Sequence, residues 1–218
     1  MSSQVRGGTR WKRFAVVMVP SVVATAAVGV GLAQGALAAS FSVSGQEFKV
    51  SAQELNGKNF VQYGSVATGK DLKGKDMAAP VAVSGFSEAT ITKMCQSVVT
   101  PDLPFGLGNI TLQLNAGDPK KGDDPVYAKD LYLDVSQLDA DAEFGNIDIG
   151  VAAGSLKTTK PGSIGIQPGT QANPYGFSQR ADTAKLSNVH QQAWATTAGT
   201  FKLPGLSLKL HKGVKECY

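Results

Sequence analysis

The stretch DLYLDVSQL, Asp130–Leu138, carries an aliphatic side chain at every second position over its first half. This spacing places Leu131, Leu133 and Val135 on one face. Successive side chains of a β-strand point to opposite faces, so this alternation is typical of a strand that buries one face. The stretch therefore predicts a half-buried strand.

The same alternation recurs on both sides of this stretch. It is found in three further segments: SFSVSGQEFKVSA at 40–52, GNITLQLNA at 108–116 and TFKLPGLSLKL at 200–210. In the last segment, Leu206, Leu208 and Leu210 share one face. Gly, Pro, Asn and Asp cluster between the alternating runs, as turns between strands require. The pattern predicts a chain built mainly of strands.

Helix signals are weak in the same region. The segment SAQEL, Ser51–Leu55, is long enough for a single helical turn only. The segment Ser87–Val98 is rich in Thr, Ile and Val, which favours a strand. Two segments rich in Gly and Pro, 115–125 and 157–176, predict long surface loops.

We therefore predict a single all-β domain over residues 39–218, with a β-sandwich-like architecture. This length is enough for one domain with a sizeable core. A short β-solenoid is the alternative, because two segments share an A-x-x-x-N-[IV] pattern that ends at Asn146-Ile147 and at Asn188-Val189. Two imperfect copies do not make a repeat array, so the sandwich-like domain is favoured.

The N-terminus has the three parts of a secretory signal peptide. Residues 1–13 carry four basic residues and no acid, and residues 14–38 carry no charged residue. The uncharged run ends in Ala36-Leu37-Ala38, a small-x-small site. We predict a signal peptide over residues 1–38 that is cleaved between Ala38 and Ala39. An uncleaved membrane anchor is the alternative, because the run is long enough to span a bilayer.

The charge balance argues against a nucleic-acid partner. The full chain has 21 Lys and Arg and 17 Asp and Glu, and all of the excess positive charge lies before residue 39. From Ala39 onward the chain has no formal net charge. A protein that binds nucleic acid needs a basic face, and the predicted mature chain has no basic excess to supply one.

The chain has two cysteines, Cys95 and Cys217, and the second lies next to the C-terminal residue. Outside the cytoplasm two such cysteines are oxidised, so we predict one Cys95–Cys217 disulfide. Two unpaired structural thiols are the alternative. A metal site is not predicted here, because two cysteines and two distant histidines do not make a ligand cluster.

Acidic residues are concentrated in the middle of the chain. Nine lie between positions 118 and 148: Asp118, Asp123, Asp124, Asp130, Asp134, Asp139, Asp141, Glu143 and Asp148. The segment DADAEFG, 139–145, resembles the start of an EF-hand calcium loop, but its glycine comes one position late and the twelfth position has no glutamate. On a strand, Asp139, Asp141 and Glu143 share the solvent face. Their neighbours then point inward: Leu138, Ala140, Ala142 and Phe144. We favour this interpretation and predict no metal and no cofactor.

A serine esterase of the α/β type would need a G-x-S-x-G elbow between a strand and a helix. Three G-x-S triplets occur, ending at Ser87, Ser178 and Ser207, and none of them is closed by a second glycine. Only His190 and His211 could serve as the base, and His190, which precedes Trp194, is the better placed. We predict no catalytic residue.

The C-terminal segment mixes lysines with leucines. Four lysines and one histidine interleave its apolar residues: Lys202, Lys209, His211, Lys212 and Lys215. Such a surface could face an anionic lipid or a wall polymer. We favour an ordinary edge strand whose lysines prevent aggregation.

The chain resembles a family of exported proteins from filamentous, Streptomyces-type actinobacteria. The resemblance covers nearly all of the chain and is carried by the run from Arg13 to Gly57 and by FVQYGSV, ITKMCQSV, NIDIG, LPGLSLKL and the terminal KECY. This family is a domain of unknown function whose members are sometimes labelled cholesterol esterase. The resemblance implies a secreted or envelope location and supports the paired cysteines. It also implies a small multispanning membrane protein as a partner.

Two classes of function follow from these observations. The first is an exported, non-enzymatic envelope protein that binds a lipid, a wall component or a membrane partner. The second is a secreted lipid or cholesterol esterase, as the family label suggests. The missing elbow and the scarcity of helices favour the first class.

Overall fold

The computed structural model describes residues 43–104, 106, 108–158 and 162–218. The predicted signal peptide, residues 1–38, and its cleavage site between Ala38 and Ala39 lie outside these residues and stay predictions. The described residues belong to one compact unit, Ser40–Tyr218. The strands, core residues and disulfide described below lie in this unit, from Val43 onward.

The described part of the chain contains nine strands and two short 3-10 helices. The strands are β1 (Phe48–Lys70), β2 (Asp76–Thr92), β3 (Met94–Leu103), β4 (Gly108–Ala116), β5 (Val126–Gly145), β6 (Asp148–Ala152), β7 (Phe177–Thr197), β8 (Thr200–Lys202) and β9 (Ser207–Lys212). The 3-10 helices are Pro119–Lys121 and Ala153–Thr158. The prediction of an all-β domain is confirmed. In the part of the chain that the structure describes, we find no helix with the length and hydropathy of a membrane span.

The predictions for individual segments are confirmed in two cases and wrong in one. Ser51–Leu55 lies inside β1, so the interpretation as a helical turn is wrong. Ser87–Val98 is strand on both sides of Lys93, as its composition predicts. The predicted loops correspond to the connections between β4 and β5 and between β6 and β7, which each contain one of the 3-10 helices.

Four long antiparallel strands form a small closed barrel. β1 pairs with β2 along one edge and with β7 along the other. β5 also pairs with both β2 and β7, which completes the ring. The strands thus close on themselves, whereas a sandwich would have two separate facing sheets. β3, β4 and β9 continue the sheet outward from the start of β1, and β6 and β8 flank β7 and β5.

The strands wind steeply around this barrel. Gly57 lies opposite Ala89 on β2 and opposite Ala184 on β7. Ala89 is paired in turn with Ala128, and Ala184 is paired with Phe144. Ala128 and Phe144 both belong to β5. A path of paired residues that goes once around the barrel therefore returns to β5 sixteen residues away from where it left this strand. Such a large stagger requires strands that are strongly tilted from the barrel axis.

Local kinks in the backbone allow this winding. Three barrel residues other than glycine have a positive φ: Asn59 on β1, Asp130 on β5 and Asn188 on β7. Asn and Asp tolerate the left-handed region better than other side chains, and an extra residue in a strand increases its twist. Asn146 also has a positive φ. The similarity noted at Asn146-Ile147 and Asn188-Val189 therefore reflects a shared backbone conformation.

The inner face of the barrel holds the main core. Leu131, Leu133 and Val135 are buried there, as the alternation predicts. Phe60 of β1 and Phe86 of β2 pack with their ring centroids 5.4 Å apart. A Cβ atom on residue 57 would overlap the ring of Phe86, which explains the glycine at that position.

A second core covers part of the outer face of the barrel. Val83 and Tyr63 pack there against Leu156 and other residues of the connection between β6 and β7. Two tyrosines fasten this connection. The amide of Gln167 donates to the hydroxyl of Tyr63 at 2.7 Å, and the hydroxyl of Tyr132 donates to a backbone carbonyl at 3.2 Å. The barrel wall therefore has an apolar layer on both sides at this end.

Candidate functional site

A cavity of about 210 Å³ lies among the four barrel strands. Most of its wall is apolar: Leu55, Phe60, Phe86, Leu133, Leu138, Ala140, Ala142, Phe144 and Leu186. Each strand of the barrel contributes, so the cavity exists only because the barrel closes. No charged residue lines it.

Three polar side chains complete the wall: Gln62, Ser84 and Gln191. The amide of Gln62 donates to Ser84 Oγ at 2.9 Å, and its own carbonyl accepts from Gln179 Nε2 at 2.6 Å. A predominantly apolar concavity with a few fixed polar groups is the usual composition of a small-molecule site. Sequence reasoning missed this polar cluster, because its members belong to three separate strands.

The second half of β5 forms the accessible side of the cavity. β2 pairs with β5 only up to Val135, so the strand beyond this point has no β2 neighbour. Leu138 is 36% exposed although it lines the cavity. Leu138, Ala140, Ala142 and Phe144 all line the cavity, as predicted for the inward side of the strand. Ala140 and Phe144 pack against the main core, whereas Leu138 and Ala142 are exposed at the mouth. A ligand can therefore reach the cavity along residues 136–145.

The size and polarity of the cavity restrict what it can hold. An apolar cavity of about 150 Å³ stays dry and binds small apolar molecules such as benzene. A cavity of about 210 Å³ accepts a short apolar segment, such as part of an acyl chain.

Two carboxylates of the acidic segment at the mouth accept hydrogen bonds from neighbouring side chains. Asp139 accepts a hydrogen bond from Gln137 at 2.8 Å, and Asp141 accepts one from Asn188 at 2.8 Å. Within the described residues, no three His, Cys, Asp or Glu side chains come together as ligands. Asp139, Asp141 and Glu143 are exposed, as expected for the solvent face of the strand.

The structure brings His190 next to a serine and an aspartate. In the strand register, His190 of β7 lies between Ser51 of β1 and Asp139 of β5. Residues directly opposite each other in an antiparallel sheet share one face, so the three side chains form a row. The ring of the terminal Tyr218 stacks on His190 with a centroid distance of 4.4 Å. Sequence reasoning missed this row, because its three residues come from segments far apart in the chain.

The three serine triplets lie in strands. Ser87 belongs to β2, Ser178 to β7 and Ser207 to β9. The hydroxyl of Ser178 is buried and donates to the carbonyl of Val151 at 2.8 Å. His211, the second histidine, is half-buried on β9, and its Nε2 has no hydrogen-bond partner among the described residues.

Cys95 and Cys217 form a disulfide that closes a sequence separation of 122 residues, as predicted. The C-terminal tail crosses one face of the outer sheet. The amide of Cys217 donates to Ser97 Oγ at 3.0 Å, and the amide of Lys215 donates to Thr111 Oγ1 at 2.9 Å. Glu216 pairs with Lys49 at 3.0 Å. A fixed disulfide of this kind points to an extracytoplasmic location.

The leucines of the C-terminal segment are not buried. β9 pairs only with β4, so it is an edge strand, as we favoured. Leu206, Leu208 and Leu210 are 52%, 57% and 70% exposed. The expectation of a half-buried leucine face is therefore wrong for this strand, because no layer of the described residues packs over it.

One buried carboxyl group lies on the barrel wall beneath the connection between β6 and β7. Asp134 is 7% exposed, and its register neighbours are Val83 and Ala195, two members of the second core. Burial raises the pKa of Asp134. Burial also raises the pKa of Tyr132 to about 12, so this phenol stays protonated and can donate its hydrogen bond.

A further depression, of about 520 Å³, lies outside the barrel between the two ends of β5. Its rim holds Lys58, which pairs with Glu88 at 3.0 Å, and Lys185, which pairs with Glu54 at 3.2 Å. Both lysines are thus paired with a glutamate of a neighbouring strand, so this depression offers no unpaired lysine to a ligand. We therefore place the candidate site in the barrel cavity, where the wall is apolar and formed by all four strands.

The chain belongs to a family of unknown function, DUF6230. The family model matches residues 44–218, which is most of the chain. Comparisons with the curated proteins and with the solved structures found no match.

Proposed function

We propose that this chain is an exported, non-enzymatic protein of the cell envelope that binds an apolar segment of a lipid inside its barrel. The observation that carries the proposal is the apolar cavity of about 210 Å³ formed by all four barrel strands. The disulfide and the predicted signal peptide support the location. The resemblance to exported actinobacterial proteins supports it as well.

The physical reason for binding is the apolar wall. Each Å² of apolar surface removed from water contributes roughly 25 cal/mol, so an acyl segment enclosed by Leu and Phe side chains gains affinity without any charge. The polar cluster at Gln62 and Ser84 supplies hydrogen-bonding groups that can orient an ester or hydroxyl group. Such a site binds lipid without reacting with it.

A cavity-filling variant tests this proposal. The chain from Ala39 onward is titrated with a fatty acid that carries a fluorescent dansyl group at the end of its chain. We expect saturable binding, and we expect Ala142→Leu to weaken it at least tenfold because the larger side chain occupies the cavity. Glu143→Gln is the matched control on the opposite face of the strand and leaves binding unchanged. Equal binding by both variants would contradict the proposal.

The location is tested separately. We expect the culture medium or the envelope fraction to contain a species whose intact mass corresponds to a chain that begins at Ala39. A species that retains residues 1–38 in the membrane would indicate an anchored protein. In either case the multispanning membrane protein implied by the resemblance is the partner that we propose, and chemical cross-linking in intact cells tests it.

A lipid or cholesterol esterase is the second candidate function, and the row of Ser51, His190 and Asp139 favours it. In such an enzyme, a serine is the nucleophile, a histidine removes its proton and an aspartate orients the histidine. Two observations weigh against the assignment. The described contacts include no hydrogen bond among the three side chains, and the ring of Tyr218 lies on His190.

A reactive-serine probe separates the two functions. We expect no labelling of the chain from Ala39 by a fluorophosphonate and no hydrolysis of cholesteryl or short acyl esters above background. Hydrolysis that is abolished by Ser51→Ala and by His190→Ala would establish the esterase instead. Labelling of the chain that survives both substitutions would indicate a nucleophile other than Ser51.

A further inference from the structure

The wall of the barrel cavity continues along β1 and β2 beyond the cavity itself. Gln62 and Ser84 lie opposite each other in the strand register, and both line the cavity. Every second residue of a strand faces the same side, so the next residues on this face follow from the register. They form two opposite pairs, Gly64 with Ala82 and Val66 with Pro80.

Strands β6 and β7 extend the same face on the other side of β1. Gln179 lies opposite Gln62 and donates to its Oε1 atom, so Gln179 is on the cavity side of the sheet. Ile149 lies opposite Gln179, and Phe177 precedes Gln179 by two residues, so both share its face. We call the resulting surface the apolar patch and define it by six residues: Gly64, Val66, Pro80, Ala82, Ile149 and Phe177.

The apolar patch is open to water. All six of its residues are exposed, and a Cβ atom on residue 64 would meet no atom within 4 Å. The opposite face of these strands is covered, since Tyr63 and Val83 pack there in the second core. The patch carries no charge. Its face ends at Lys70 and Asp76, which pair with each other at 2.7 Å.

A band of hydrogen-bonding groups separates the cavity from the apolar patch. Gln62 joins its two neighbours in this band, because it donates to Ser84 and accepts from Gln179. Ser84 Oγ is thus an acceptor within the band, and among the described contacts its own proton has no acceptor. A hydroxyl group can donate this proton to a carbonyl oxygen. The band therefore offers one donor to a ligand that passes from the cavity to the patch.

We propose that the lipid bound by this protein is a neutral ester that joins two apolar chains. One chain lies in the cavity, the ester carbonyl accepts a hydrogen bond from Ser84, and the other chain lies on the apolar patch. This inference rests on the proposed lipid binding and names the class of lipid.

The dimensions and polarity of the three zones support this class. A cavity of about 210 Å³ holds only a short apolar segment, so the rest of a longer lipid must lie outside it. The apolar patch is continuous with the cavity through Gln62 and Ser84, so a second chain can leave the cavity without crossing a charged group. A fatty acid has no second chain and would leave the patch in water. A charged head group would find no partner on the patch.

Displacement of the dansyl fatty acid from the chain that begins at Ala39 tests the inference. The competitors are methyl decanoate and octyl decanoate, which differ only in the length of the alcohol chain. Both are used below the concentration at which the octyl ester aggregates. We expect the octyl ester to bind at least tenfold more tightly, because its alcohol chain covers apolar surface that a methyl group cannot reach.

Variants of the patch locate the second chain. Ile149→Ser with Phe177→Ser should abolish the advantage of the octyl ester, and so should Gly64→Asp, which places a carboxylate in the middle of the patch. Leu208→Ser with Leu210→Ser is the matched control and keeps the advantage. Ile149 and Phe177 are 66% and 64% exposed, close to the values for these two leucines. Unchanged binding of methyl decanoate shows that each variant is folded.

A further pair of competitors tests the contact with the carbonyl group. Ser84→Ala should weaken the binding of octyl decanoate about fivefold, because the hydrogen bond to the ester is lost. The corresponding ether, octyl decyl ether, has no carbonyl oxygen and should bind the variant as it binds the wild type. Equal losses for the ester and the ether would contradict the placement of the carbonyl at Ser84.

Four results would overturn the inference. Equal displacement by the two esters, with Ala142→Leu still weakening the dansyl probe, would refute the patch and leave the cavity proposal intact. No binding of the probe at all would refute both. An octyl advantage that persists in the patch variants would place the second chain elsewhere. Dimerisation that is lost in Ile149→Ser with Phe177→Ser would assign the patch to a second copy of the chain.

Discussion

Strands β5 and β9 carry the same alternation of apolar and polar residues and differ completely in burial. Leu131 of β5 is fully buried, whereas Leu210 of β9 is 70% exposed. β5 runs through the barrel wall and has a core on each side, and β9 is an edge strand with one partner. The comparison teaches that alternation shows which residues share a face. Whether that face is buried depends on a second layer of structure.

The largest expected effect concerns the link that holds the outer strands to the tail. Removing the disulfide by Cys217→Ser should lower the free energy of unfolding by roughly 4–5 kcal/mol, because the bond closes a very long loop in the unfolded chain. Urea denaturation without reductant measures the loss. Cys95→Ser should give the same loss, and the double variant should lose no more than either. Free thiols in the unfolded, unreduced wild-type protein would show that the bond does not form.

A pair of leucine substitutions breaks the comparison between β5 and β9 directly. Leu131→Ala should destabilise the protein by about 3 kcal/mol, because it leaves a cavity in the main core. Leu210→Ala should change stability by less than about 0.5 kcal/mol, because its side chain is already in water. Chemical denaturation of the two variants measures the difference. Similar losses for both would mean that the exposed leucines of β9 are covered in the folded protein.

The tight packing of the barrel interior gives a smaller effect. Gly57→Ala should destabilise the protein by about 1–3 kcal/mol, because the added methyl group must displace the ring of Phe86. Gly64→Ala is the control, since a Cβ there meets no atom within 4 Å. Thermal unfolding of the two variants tests the difference. If Gly64→Ala were the more damaging, the steric explanation would be wrong.

The smallest effect concerns Asp134 on the covered wall of the barrel. Because burial raises its pKa in the folded state, the native protein holds this proton more tightly than the unfolded chain does. The stability that the bound proton of Asp134 contributes is therefore lost as the pH rises from the ordinary aspartate pKa through the raised pKa of the folded state. Asp134→Asn should raise the free energy of unfolding at neutral pH and leave it unchanged at pH values below the ordinary aspartate pKa. Unfolding curves of both proteins over the acidic range test the sign.

Local patterns predicted much of this fold. The burial of Leu131, Leu133 and Val135 follows from a period of two residues, and so does the inward orientation of Leu138 to Phe144. The disulfide followed from the predicted compartment and the count of cysteines. These predictions succeeded because they need only the spacing along one segment or the chemistry of one residue type.

Other features depend on contacts that no local pattern contains. The closure of the barrel requires pairing of β1 with β7. The alternation within a strand does not show which other strand it pairs with. The kinks at Asn59 and Asn188 shift which residues face inward, so a face cannot be extrapolated along a whole strand. The cavity and the row of Ser51, His190 and Asp139 follow from the same long-range register.

The pairing of β1 with β7 has a consequence for how the protein acquires its structure. Phe48 and Ala193 are neighbours in the barrel although almost the whole domain lies between them in the chain. Proteins dominated by contacts of such high sequence separation fold slowly, on the order of milliseconds to seconds. Since a ribosome or a translocation channel delivers the N-terminal end first, β1 and β2 must wait for β7 before the ring can close. Folding is therefore an event of the entire released chain, and interrupted synthesis before β7 would leave unpaired strands that aggregate.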